Sequence, residues 1–129
     1  ADVILIDTPP KADSDVRWVL RDSDLVLVPV SASQADVWAT HDVLDLAERA
    51  QKPTHIVMNR TRAGTRVGDD VAKSVAELGA GRLDASLANR VIYADALGRG
   101  LGVVEAKKSG PAADEVRALA QEVAGILEL

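Results

Sequence analysis

The chain has 129 residues, the usual size of one domain, and 47% of them are hydrophobic while only 2% are aromatic. Its core must therefore be built from Val, Leu, Ile and Ala rather than from rings. Cysteine is absent, which excludes disulfides, thiolate metal sites and cysteine nucleophiles within these residues. The formal net charge of −5 opposes whole-surface attraction to nucleic acid or to anionic lipid.

Val3-Ile4-Leu5-Ile6 is a continuous apolar, β-branched run that ends on Asp7-Thr8-Pro9-Pro10, where two prolines cannot continue a ladder. It predicts a buried parallel strand entering a loop. The chain opens on Ala1 with this pattern already under way, which reads as a cut end. Leu25-Val26-Leu27-Val28-Pro29-Val30 predicts a second strand of the same kind. Ser33-Gln34-Ala35-Asp36 then has the S-x-x-D form of a helix-entry capping box. Apolar residues at Val37, Trp38, Val43, Leu44 and Ala47 extend a helix over 34–50. His55-Ile56-Val57-Met58 predicts a third strand, closing on Asn59-Arg60. Residues 60–68 hold three arginines and two glycines and read as a loop. Val67, Val71, Val75 and Leu78 predict a helix over 67–78, stopped by Gly79. A shorter helix over 90–97 is closed by Gly98 and Gly100, and Val116, Leu119, Ala120, Val123 and Leu127 mark a last one over 115–127.

Strands alternating with helices predict an α/β fold, a parallel sheet with helices on both faces. In such sheets ligands bind outside the carboxyl ends of the strands. Asp7, the loop after Pro29, and Asn59 are thus expected along one rim. An aspartate at a strand end suits Mg²⁺, a hard cation that prefers carboxylate oxygens, and also suits an ordinary turn. Thr8 followed by Pro9 and Pro10 makes a stiff hydroxyl-bearing segment fit to sense a phosphate. Asn59, read by itself, is a strand-terminal turn residue. His41 and His55 lack metal-ligand spacing and read as surface or helix residues, and Trp18 and Trp38 read as core or interface packing.

In this order, Val3 to Pro10 resembles the Walker B and switch II segment of the ParA/MinD family of deviant-Walker ATPases. Asp24 to Val30 with Ser33 and Asp36-Val37-Trp38-Ala39 is similar to the next strand and helix of its small plasmid-partition members. Val57-Met58-Asn59-Arg60 resembles their base-recognition strand end. Arg90, Ala94, Gly100, Val103-Val104-Glu105, Glu115, Leu119 and Glu122 follow the family's C-terminal pattern.

The resemblance implies a P-loop NTPase (SIMIBI-like) fold, incomplete at its N-terminus, with residues 1–129 forming the C-terminal portion of one nucleotide-binding domain. It implies ATP and Mg²⁺ as cofactors, with Asp7 serving the metal and the attacking water. Thr8, Pro9 and Pro10 would form switch II, Asn59 would contact adenine through its carboxamide, and Arg60 would stand beside it. It further implies a cytoplasmic protein that dimerises with ATP, positions plasmid or chromosome cargo, and answers to a ParB-like or other stimulating adaptor. Non-specific DNA would be met by Arg62, Arg66, Lys107, Lys108 and Arg117, which otherwise read as solvated charges. No membrane role is expected, because Glu122 to Leu129 carries two glutamates and neither Lys nor Arg.

Two departures stand out. Lys11 replaces the glycine that usually follows the prolines, and no Gly-rich K-G-G-x-G-K-[ST] segment occurs in these residues. The intact protein is thus expected to be a weak ATPase and this chain to be inactive alone. A biosynthetic ligase of the same fold, dethiobiotin-synthetase-like, and a non-enzymatic receiver-like signalling module are the alternatives. The receiver's upstream acidic pair and strand-end lysine are missing.

Overall fold

The apolar run at Val26–Ser31 (β1) and the one at Thr54–Thr61 (β2) pair in parallel, in register from Val26 with Thr54 to Ser31 with Asn59. Gly81–Ala88 (β3) pairs in parallel on the far side of β2, so the computed structural model, which describes residues 3–8 and 14–129, holds one three-stranded sheet in the order β1-β2-β3. Helices flank it: Ser14–Asp22 (α1), Gln34–Arg49 (α2), Arg66–Ala76 (α3), Val91–Gly98 (α4), Val103–Ala106 (α5) and Pro111–Ile126 (α6). The fold is the expected α/β arrangement.

Alternation along the strands builds the core. Val26, Val28 and Val30 of β1 join Ile56 and Met58 of β2, and they meet Val16 and Leu20 of α1, Val37 and Ala47 of α2, and Val71 and Val75 of α3. Each fully buried branched side chain here stabilises the fold by roughly 1.5–3 kcal/mol relative to exposure. Val57, between Ile56 and Met58, is buried too but points to the opposite face by the two-residue period of a strand. Pro29, which has no N–H, is tolerated near the carboxyl end of β1, a strand bonded only to β2 among the described residues.

Several expectations are corrected. Residues 3–6 form no strand; Ile4 is 77% and Leu5 86% exposed. β-branched residues favour extended backbone, but a strand exists only where a neighbour accepts and donates its ladder bonds. Pro9 and Pro10, the rest of the expected switch, lie outside the described residues, as does Lys11. Strand β3 was not expected: Gly81-Arg82-Leu83-Asp84-Ala85-Ser86-Leu87-Ala88 has no β-branched residue, although the polar–apolar alternation from Arg82 to Leu87 is a period-two strand signal. α1 and α5 are likewise additional.

The ends of the helices also differ. Ser33 does take the N-cap position of α2, its carbonyl accepting from Val37 N–H at 3.2 Å, but its hydroxyl makes no capping bond. α6 begins a turn before the expected start, at Pro111, whose missing N–H costs nothing in the first turn. Gly79, at φ +74°, follows the last turn of α3 as its position suggested. His55 is a half-buried strand residue with Gly81 opposite it, and His41 lies exposed on α2. Trp18 and Trp38 are 60% and 70% exposed and belong to no core; Trp18 instead stacks under the Arg21 guanidinium at 4.2 Å.

Candidate functional site

The carboxyl ends of all three strands meet at one rim, and irregular pairing shapes it. Between Met58–Ser86 and Thr61–Ala88 the ladder advances three residues on β2 against two on β3, so β2 bulges at Asn59–Arg60. Arg60 absorbs the bulge at φ +51°, a left-handed conformation uncommon outside glycine. The Asn59 carboxamide steadies it by accepting the Arg60 N–H through Oδ1 at 2.9 Å.

Arg60 of this bulge helps line a cleft of about 440 Å³, together with Ser31, Ala32, Arg62, Thr65, Val67 and Asn89. Ser31 is the ladder partner of Asn59, but Asn59 itself does not line the cleft. Arg62 donates through Nε and Nη2 to the Asn89 side-chain oxygen at 3.3 and 3.2 Å, the carboxamide being oriented by this pair. Among the described residues, neither Arg60 nor Arg62 joins a salt bridge. Two cations without a carboxylate partner suit such a cleft to anions or to hydrogen-bonding rings.

The loop into α3 is held tightly. Thr65 Oγ1 donates to the Arg62 carbonyl at 2.8 Å and accepts the Gly68 N–H at 3.2 Å, so one hydroxyl both caps the helix and closes the turn. A Cβ at Gly68 would stand 2.9 Å from the Arg62 carbonyl oxygen, closer than packing allows. Arg66, the first residue of α3, is exposed beside this loop.

On the other side of the rim, Glu115 of α6 collects four donors. Arg90 Nε and Nη2 reach Oε1 at 2.9 and 2.7 Å, the Tyr93 hydroxyl reaches Oε2 at 2.8 Å, and the Ala88 N–H reaches Oε2 at 3.2 Å. Burial alone pushes the Glu115 carboxyl up, but the bonds from Arg90, Tyr93 and Ala88 outweigh it and hold the group below its ordinary value. The same bond raises Arg90, while burial, with Glu115 beside it, pushes the Tyr93 hydroxyl up to about 12.

Asp7 and Thr8 are exposed, and Thr8 borders not this cleft but a wide groove of about 1080 Å³ along β1. Asp7 stands in no cluster of three metal-ligating side chains, and no such cluster occurs among the described residues. A lone carboxylate still fits Mg²⁺ chemically, since that ion commonly takes one or two carboxylates and completes its shell with water and phosphate oxygens.

The remaining basic residues form a separate group. Lys107 and Lys108 follow α5, and Arg117 of α6 donates to the Lys108 carbonyl and pairs with Asp114 at 3.5 Å. Sequence reading expected the segment after Pro29 at the rim without naming Ser31, and it named neither Thr65 nor Asn89 as cleft residues. For Thr65 the Thr65-x-x-Gly68 spacing carried the signal of a capped turn, and for Asn89 there was none. No helix among the described residues is long and apolar enough to cross a membrane.

No family model matches the chain. Among curated proteins it is similar to the maintenance of carboxysome distribution protein A of Halothiobacillus neapolitanus, 28% identical over 129 residues. The alignment covers 95% of this chain, and the chain spans 60% of that relative's length. That protein's name describes keeping a cellular body distributed, a task of the kind the sequence resemblance implies.

Proposed function

We propose that the chain is the C-terminal portion of the nucleotide-binding domain of a ParA-like positioning ATPase. The observation that carries the nucleotide-binding part is the cleft at the carboxyl rim, where Arg60, set by the bulge, and Arg62, both without a carboxylate partner, face one ligand-sized space. The likeness along 95% of the chain to a distribution protein supports the positioning part. In this reading Arg60 meets the base with Asn59 bracing it through the Arg60 N–H, and Thr8 with Pro9 and Pro10 senses the terminal phosphate. Asp7 shares Mg²⁺ with the nucleotide, and the metal supplies charge neutralisation at the phosphates. The phosphate-binding loop comes from residues outside this sequence.

The cycle that follows is dimerisation with ATP, attachment to non-specific DNA through Arg66, Lys107, Lys108 and Arg117, and release when an adaptor stimulates hydrolysis in the cytoplasm. Arg62 leaves that basic set in favour of the cleft, where Asn89 holds it. DNA attachment would require ATP and fall steeply with salt, because phosphate contacts release counterions. The test is ATP affinity and turnover in the intact protein. Asp7→Ala is expected to abolish turnover and Asn59→Ala to weaken ATP binding about tenfold, as loss of one polar contact of 1–2 kcal/mol would do. Unchanged affinity and turnover in both variants would overturn the assignment.

A further inference from the structure

Asn89 is the residue that holds Arg62 in the cleft, and both of its chain neighbours are gripped by one carboxylate. Ala88 gives its N–H, and Arg90 its guanidinium, to Glu115, while Tyr93 on the next turn fixes the second carboxylate oxygen. From the sheet side the Asn89 N–H is held by the Thr61 carbonyl at 2.9 Å. The residue is thus pinned between the end of β2 and the first turns of α6. We infer that Glu115 is a positioning residue for the cleft: through Ala88 and Arg90 it sets Asn89, and through Asn89 it sets the Arg62 guanidinium that meets the ligand. The inference deepens the nucleotide-binding reading above and rests on it for the ligand, an adenine nucleotide.

Geometry supports this over a purely structural tie. Glu115 is only 19% exposed and spends all its bonds on the segment from Ala88 to Tyr93, whereas Glu122, about two turns along α6, bonds backbone N–H groups earlier in β3 and reaches no cleft residue. A carboxylate that receives four donors also fixes direction as well as distance, and a guanidinium held by such a chain loses little freedom when a ligand arrives.

The experiment is a double-mutant cycle in the intact protein, reading ADP affinity by calorimetry alongside the ¹⁵N resonance of the Arg62 Nε–H. Glu115→Gln is expected to weaken ADP binding about three- to tenfold in the wild-type background and to have little effect in Arg62→Ala, since coupled residues are non-additive. In the same variant the Arg62 Nε–H resonance should lose its dispersion while the rest of the spectrum stays folded. Arg90→Lys, which keeps the charge but not the two-pronged bond, should fall between. Equal weakening with and without Arg62, or an unmoved Arg62 resonance in folded Glu115→Gln, would overturn the positioning role. Should wild-type protein fail to bind ADP while the resonance responds as expected, the nucleotide reading falls and the positioning of Arg62 stands.

Discussion

At the scale of single residues, the rim depends on polar groups whose ionisation ties stability to pH. Glu115 is held below its ordinary value of 4.5, so it contributes stability that is fully present above that value and is lost as pH falls through its depressed one. Tyr93 is raised from 10.0 to about 12, so its contribution is fully present below 10.0 and is lost as pH rises through about 12. Urea midpoints measured from acid to alkaline pH should therefore decline at both ends, and Glu115→Gln should flatten the acid limb. An acid limb identical in that variant would show that other carboxylates govern it. Arg60 shows why a site residue can be named from sequence without its geometry being known. Its place near the carboxyl end of a strand was legible, but the strand runs on through it to Thr61, and its left-handed φ of +51° follows from a ladder that slips against β3.

At the scale of elements, β3 is the instructive case. Between Ile56–Arg82 and Met58–Ser86 it advances four residues against two on β2, and the Asp84 and Ala85 N–H groups at this irregular stretch donate to Glu122 Oε1 and Oε2, both at 2.8 Å. A helix side chain thus covers a strand edge that would otherwise offer unpaired donors. Glu122→Ala should cost about 1 kcal/mol, toward the low end for a lost acceptor because Asp84 is exposed to water, and urea denaturation measures it. Gly68 gives a second test. Because a Cβ there meets the backbone oxygen of Arg62 at 2.9 Å, Gly68→Ala should displace the turn from Arg62 to Thr65 and weaken cleft binding, despite alanine's better helix propensity. A stabilised variant with unchanged binding would show that the turn yields at no cost.

At the scale of the whole molecule, the sheet is covered unevenly. Helices α1, α2 and α3 close over one face, while β1 borders a groove of about 1080 Å³ whose walls include Leu25, Leu27, Val43, Leu46 and Ile126. Among the described residues β1 is bonded only to β2, so its outer N–H and C=O groups offer a template for another strand. These 129 residues prepared alone should associate in a concentration-dependent way, and a lysine at the groove, Leu27→Lys, should suppress it. Sedimentation velocity decides the matter: a monodisperse monomer at every concentration would contradict the expectation.

What the sequence determined by itself was whatever depends on local pattern. The runs at 25–30 and 55–58 became β1 and β2, the helical periods at 34–50 and 67–78 became α2 and α3, and the alternation of the two implied a parallel sheet with a working rim. Hydrophobic period is carried by neighbours in the chain, so it survives being read without the fold. Tertiary structure alone decided the rest. It left 3–6 without a ladder, secured the strand at 81–88, which lacks β-branched residues, by giving Leu83 a buried place and its backbone bonds to Glu115 and Glu122, and set both tryptophans on the surface. It also gathered Ser31, Arg60, Arg62 and Asn89 into one cleft. The physical reason is common to all of these: strand partners, bulges and carboxylate caps join residues far apart in sequence, and their bonds form only once the chain has brought them together.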